Sequence, residues 1–217
     1  MNLDDCGKIF HDLGSYLKNI HNISLHNGIV QGYCEINEQI TCITDLLLKN
    51  KNINNILNIG FNAGHSAELF LINSKADIIS IEIENALHNI KGNEYINSVF
   101  ENRHKLITGN SKNILPILIK ENRKFDLIFI DGDHKYDTVK SDMLNSLKLI
   151  NNNGYILLDD TVNIKELIKH WNVGPNNVLN EFVNKQIVKI IRSETYGVGR
   201  GMTILQKLDT HHPCGDS

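Results

Sequence analysis

The chain has 217 residues, 41% of them hydrophobic and 22% charged, with a formal net charge of −3. That length fits one large domain whose core stands without disulfide staples, and the charge balance provides no basic stripe for nucleic acid. No apolar run reaches the roughly 18 residues of a membrane span, no signal-peptide pattern opens the chain, and Cys6, Cys34, Cys42 and Cys214 show no CxxC spacing. A reducing, cytoplasmic setting is therefore expected.

In chain order, residues 1–36 carry one amphipathic pattern (Ile9, Phe10, Leu13, Tyr16, Leu17, Ile20) and then a polar stretch. They are expected to form an N-terminal helical cap, with Glu35 and Glu38 as surface acids that could instead face a site. Residues 37–48 place Ile40, Ile43, Leu46 and Leu47 on one helical stripe, with Asn37 as N-cap. Residues 55–60, NILNIG, read as the first strand and run directly into FNAGHSAELFLI. Gly60 and Gly64 bracket a tight turn, and a helix follows over 66–72. This layout brings backbone N–H groups and a helix N-terminus up to a ligand. The spacing is G-x-x-x-G, neither the dinucleotide fingerprint nor a P-loop.

A second strand is predicted to end at Glu82, about 20 residues beyond the glycine turn, where an acid can accept both hydroxyls of a ribose. The turn and the acid together point to an adenosine-containing ligand. A helix over 85–101 and a short strand over 104–108 lead to Gly109, Asn110 and Ser111, again at a strand's C-terminal end. Pro116 predicts a short or bent helix over 112–119.

Residues 125–161 then read as strand, helix, strand. FDLIFI stops at Asp131, GYILL stops at Asp159–Asp160, and Val139, Met143, Leu147 and Ile150 mark the crossover helix. Such a crossover makes the two strands parallel, so their C-terminal ends share one sheet edge, where ligands of open α/β sheets bind. Three carboxylates meeting there need a positive partner: a metal, a Lys or Arg, or a proton. Beyond them, a helix is predicted over 162–171, a break at Gly174–Pro175, a turn or two of helix over 178–183, and two strands over 186–193 and 201–206. Their short link predicts an antiparallel hairpin. The polar residues 208–217 read as a disordered tail.

Five stretches in register, NIGFNAGHSA, SIEIE, LITGNSKNILP, LIFIDGDHKY and YILLDDT, resemble the class I S-adenosylmethionine-dependent methyltransferases. Within them the chain is most similar to the metal-dependent O-methyltransferases of catechol, caffeoyl-CoA and macrolide-sugar type. The resemblance implies a Rossmann-like, seven-stranded, mostly parallel sheet over residues 37–207, with helices on both faces and a C-terminal antiparallel hairpin. It implies that Gly60, Asn62, Gly64 and Ser66 hold the methionine portion of the cofactor, that Glu82 holds the ribose and that Asn110 and Ser111 border the adenine. Asp131, Asp159 and Asp160 match the metal-ligand positions, with Asp131 also beside the cofactor. Asn58 stands where many relatives carry an acid, and Asp160 where the catechol enzymes carry Asn. His134 stands near their catalytic lysine.

Physical chemistry agrees. Methyl transfer from a sulfonium is an in-line displacement in which positioning supplies much of the rate. A divalent cation activates a hydroxyl nucleophile, and three carboxylates suit Mg²⁺ or Mn²⁺ over Zn²⁺. His134 is the candidate general base. The expected partner is a small hydroxylated acceptor, a sugar or a catechol-like phenol, with no nucleic acid or membrane. A homodimer would be unsurprising for the family. Competing readings are a metal-independent methyltransferase using His134 as base with the acids binding a cationic substrate, a cofactor-binding module without catalysis, and a nicotinamide dehydrogenase, which the missing G-x-G-x-x-G disfavours.

Overall fold

Seven strands form one sheet in the order β3-β2-β1-β4-β5-β7-β6. The computed structural model describes residues 13–21, 37–196 and 199–208. The elements are α1 (Asn37–Lys49), β1 (Asn55–Ile59), α2 (His65–Asn73), β2 (Asp77–Glu82), α3 (Leu87–Val99), β3 (His104–Thr108), α4 (Ser111–Lys120), β4 (Phe125–Ile130), α5 (Tyr136–Leu149), β5 (Ile150–Asp159), α6 (Val173–Asn184), β6 (Val188–Tyr196) and β7 (Arg200–Lys207). Strands β1 to β5 pair in parallel, and β7 runs antiparallel to both β5 and β6. This is the Rossmann-like methyltransferase fold that the sequence predicts. The strand order reverses between β1 and β4, and such a switch point opens a crevice at the C-terminal ends of the strands.

The strands are buried on both faces, and their alternation decides which side chain faces which layer. Leu127 and Phe129 join Phe61, Phe70 and the α1 stripe of Ile40, Ile43 and Leu47 on one face. Ile128 and Ile130 join Leu57, Ile59 and the inward residues of α4, α5 and α6 on the other, among them Leu115, Met143 and Phe182. At the N-terminus, Leu13 and Leu17 pack on Ala63, so this helical segment lies over the glycine turn. Cys6, Cys34, Cys214, Glu35 and nearly all of the tail lie outside the described residues.

One expected element is replaced. The helix predicted over 162–171 is a loop with a single 3₁₀ turn, Lys165–Leu167. Thr161 donates to the Leu158 carbonyl and meets Thr203 at 2.8 Å, while the Val162 and Asn163 amides donate to side chains of Asn176 and Thr195. Those amides are committed sideways, not up a helix. The expected break at Gly174–Pro175 is instead the first turn of α6, where a proline's missing N–H costs nothing.

Candidate functional site

The glycine turn and the turn after β4 touch backbone to backbone. Gly60 has φ +100°, and a Cβ there would lie 2.1 Å from the carbonyl oxygen of Asp131, so only glycine fits. Asn62 (φ 48°) and Gly64 (φ +100°) repeat the left-handed conformation, which Asn tolerates better than most residues. Glu82 lies across this turn. Its Oε2 accepts the amides of Phe61 (3.2 Å) and Asn62 (2.7 Å), and its Oε1 accepts that of Glu84 (3.2 Å). The acid expected at the ribose thus also pins the turn that would wrap the cofactor.

Ser66 is held from below by Asn58, whose amide donates to Ser66 and to Ser80 at 3.2 Å each. The Ser80 hydroxyl meets His104 Nε2 at 2.9 Å, and His104 stacks on Phe61 at 5.2 Å between ring centroids. Asn58 is fully buried. An acid at this position would leave a charge in the core, whereas the neutral amide supplies the donors its neighbours accept.

Asn110 and Ser111 sit at the end of β3, as expected. Asn110 caps α4 by accepting from the Lys112 amide at 2.9 Å, and Ser111 lies near Asp142 of α5 and favours its charged form. Both line a pocket of about 310 Å³. It shares Gly60, Glu82, Ile83 and Gly132 with a larger cavity of about 830 Å³, which holds Asp131, His134, Asp159, Asp160 and Arg200.

Asp131 is open to the water of that cavity yet set deep among protein atoms. That position, then Asp159 and Asp160, push its carboxyl well above the usual range, with Arg200 opposing. Burial and then Asp160 likewise raise Asp159, while Arg200 and Gln39 oppose. Gln39 Nε2 donates to Asp159 Oδ2 at 3.1 Å, and the Tyr196 hydroxyl reaches Oδ1 at 3.5 Å. Asp160 adopts φ 56°, a left-handed position unusual outside glycine and frequent at functional sites. Its Oδ2 lies 2.8 Å from His134 Nε2, and this hydrogen bond raises the pKa of His134.

Asp131, His134 and Asp160 can each present one ligand atom within 4.8 Å of the others. The structure thus gathers the two acids with the histidine, and Asp159 stands beside them held by Gln39 and Tyr196. Asp133 accepts the amides of His134 (2.7 Å) and Lys135 (3.2 Å), which shapes the loop into α5.

Several contributors carry no local motif. Gln39 comes from α1, and its neighbour Glu38 is exposed, as expected of a surface acid. Asn176 of α6 donates to the Asp160 carbonyl at 3.2 Å. The α6 N-terminus backs the His134 loop so closely that a Cβ on Gly174 would lie 2.0 Å from the His134 carbonyl oxygen. Trp171 lies 6.0 Å from the His134 ring.

Residues 57–161 match a family model described as "Methyltransferase domain". Among solved structures, the chain is similar to an O-methyltransferase from Bacillus cereus in complex with S-adenosylhomocysteine (20% identity, TM-score 0.70, covering 90% of this chain and 89% of that one). It is similar to TomG from Streptomyces achromogenes, an O-methyltransferase of tomaymycin synthesis in complex with S-adenosylmethionine (16%, TM-score 0.68, 91% and 88%). An rRNA methylase from Streptococcus thermophilus shares the fold at 11% identity and TM-score 0.61, over 80% of this chain and 98% of that one. A curated relative, an uncharacterized protein of Acanthamoeba polyphaga mimivirus, is 28% identical over 157 residues. The match spans 71% of this chain and 61% of that relative's length. The family match covers residues 57–161, and the solved structures share the fold of the chain as a whole. No helix among the described residues is long and apolar enough to cross a membrane.

Proposed function

We propose that the chain is an S-adenosylmethionine-dependent O-methyltransferase that methylates a hydroxyl of a small molecule, a sugar or catechol-like phenol, with help from a divalent cation, Mg²⁺ or Mn²⁺. One observation carries the reading. The large cavity is lined by Glu82, Glu84, Asp131, Asp159 and Asp160 against the single guanidinium of Arg200. Such a charge balance favours a sulfonium at the glycine turn and a cation at the acids.

The acids fit a hard cation: Asp131, Asp159 and Asp160 would hold it, which leaves the imidazole lone pair of His134 for the proton. The chemistry a bound cation supplies is a lowered pKa and a fixed direction for the acceptor hydroxyl. S-adenosylmethionine supplies the methyl group. The chain's own residues do the rest. The glycine turn and Glu82 fix the cofactor, Arg200 tempers the repulsion among the acids, and Trp171 and Phe129 wall the cavity. His134, once its Nε2 is released from Asp160, takes the hydroxyl proton at that atom.

The 2.8 Å contact between His134 and Asp160 favours a second reading, in which no metal takes part and Asp160 orients and charges the base directly. Incubation with labelled cofactor and a panel of catechol and sugar acceptors, with and without EDTA, separates the two. Chelator-sensitive transfer supports the metal-assisted reaction, and chelator-insensitive transfer supports the Asp160–His134 pair. Calorimetry with S-adenosylhomocysteine tests both, because a chain that does not bind it is neither enzyme. Binding without transfer to any acceptor would leave the non-catalytic module. A cytoplasmic location, a homodimer and a domain over residues 37–207 belong to the same proposal.

A further inference from the structure

The polar groups of the large cavity fall in one line along the sheet edge. The glycine turn follows β1, Asp131 follows β4, Asp159 ends β5 with Asp160 next, and Arg200 opens β7. Strand β7 runs antiparallel to β5 and pairs Met202 with Asp159, so its first residue lies at the edge where the parallel strands end. Neighbouring strands are about 4.8 Å apart. Arg200 is therefore rooted three strand spacings, roughly 14 Å, from the glycine turn, with the acids between.

The backbone on either side of Arg200 is fixed. A Cβ on Gly199 (φ +78°) would lie 2.9 Å from the Leu167 carbonyl oxygen and 3.5 Å from the Trp171 ring, and Asn172 Nδ2 donates to the Gly199 carbonyl at 2.6 Å. A Cβ on Gly201 would lie 2.2 Å from the Thr161 carbonyl oxygen, and the Gly201 carbonyl accepts the Thr161 amide at 3.1 Å. Between these anchors Arg200 is exposed and lines the cavity, where no other Lys or Arg stands. Among the described residues its guanidinium makes no hydrogen bond or ion pair. Arg192 of the same hairpin is the contrast, engaged by Glu194 at 2.6 Å and Asp45 at 3.3 Å.

We infer that Arg200 holds an anionic group of the acceptor, so that the substrate class is a hydroxy acid: a phenol or sugar carrying a carboxylate away from the methylated hydroxyl. The inference rests on the proposed methyltransferase reading of the cavity. With the methyl donor at the glycine turn, the hydroxyl belongs at the acids of β4 and β5, and whatever extends past them meets Arg200 one strand further on. Trp171, its ring 6.0 Å from that of His134 and in reach of Gly199, flanks this path. A guanidinium presents a planar fork of N–H donors that fits a carboxylate bidentately. Arg200 favours the charged forms of Asp131 and Asp159 through space, but a counter-charge alone would gain by closing on them. The divalent cation proposed at the three acids and the guanidinium together match their charge, so an anion beyond them is drawn by the nearest charge, Arg200.

The test is calorimetry at neutral pH on the full chain loaded with S-adenosylhomocysteine and Mg²⁺. The probes are two matched pairs, protocatechuate with its neutral amide and glucuronate with its neutral amide, which report a phenolic acid and a sugar acid. The wild type binds the acid of one pair at least about tenfold tighter than the amide, and Arg200→Gln brings that ratio within about threefold, with folding checked by circular dichroism. Where that variant does not fold, Arg200→Lys takes its place; it keeps the charge, loses the fork and lowers the ratio at least about threefold. An arginine that serves only the acids affects acid and amide alike, and the ratio stays. A wild type that prefers neither acid or binds none of the probes, or a variant that keeps the wild-type ratio, overturns the inference and leaves the cofactor reading standing. A chain that does not bind S-adenosylhomocysteine overturns both.

Discussion

His134 Nε2 lies 2.8 Å from Asp160 Oδ2, which joins the candidate base to a carboxylate whose own backbone is held left-handed at φ 56°. The hydrogen bond favours the imidazolium and raises the His134 pKa above its ordinary value. A base works only when unprotonated, so activity is lost as pH falls through that raised value. Asp160→Asn removes the anion and lowers the pKa. In the chelated protein, NMR titration of His134 shifts downward, and any chelator-resistant activity extends to lower pH. A titration unchanged by the substitution would mean that Asp160 does not govern His134.

Glu82 serves the turn and, on the proposed reading, the ribose. Glu82→Gln keeps the size but loses the anion that the Phe61 and Asn62 amides share. Affinity for S-adenosylhomocysteine falls by about tenfold or more, since charge-assisted hydrogen bonds are worth about 1.5–3 kcal/mol. Hydrogen exchange at those two amides accelerates in the unliganded variant, which a role confined to ligand contact would not produce.

Gly60→Ala drives a methyl group into the Asp131 carbonyl, 2.1 Å away, at φ +100°. Neither backbone can yield without moving a strand end, and a loss of about 3 kcal/mol or more in denaturant unfolding is expected. Gly132→Ala is the control. A Cβ there meets Ile59 at an ordinary 3.4 Å, and the cost stays below about 1 kcal/mol.

His104 is buried between Phe61 and Ser80, and burial lowers its pKa to about 4. The unfolded chain binds the proton more readily than the folded one. The stability this group contributes is therefore complete above its ordinary pKa of about 6.5 and is lost as pH falls toward 4, a change of about 3 kcal/mol. Asp142, raised to about 6, acts in the opposite sense, so the useful readout is a difference. Relative to His104→Gln, the wild type loses stability as pH falls from about 6.5 to about 4, read by urea unfolding of both proteins.

The parallel core was legible because its strands are short apolar runs that stop at Gly60, Glu82, Asp131 and Asp159. Apolar periodicity and sharp polar stops are what a sheet edge imprints on a sequence. The stretch after Asp160 misled because Ile164, Leu167, Ile168 and Trp171 have helical spacing. Side chains far along the chain, Asn176 and Thr195, take the amides a helix would need. Pro175 misled for a positional reason, since proline stops a helix from inside but suits its first turn. Gln39, Asn176 and Gly174 were illegible as site residues because each acts through tertiary contact, with nothing in its neighbours to mark it.

Gly174 gives the boundary of the candidate site a physical meaning. The stretch that matches the methyltransferase family, residues 57–161, contains Asp131, His134, Asp159 and Asp160. The groups that brace them come from elsewhere in the chain: Gly174 against the His134 carbonyl, Asn176 on the Asp160 carbonyl, and Gln39 and Tyr196 on the Asp159 carboxylate. A fragment cut to the family boundaries would keep every candidate site residue named above and lose the scaffold that aims them. Transplanting this chemistry to another protein would mean moving α1, α6 and the hairpin along with the acids.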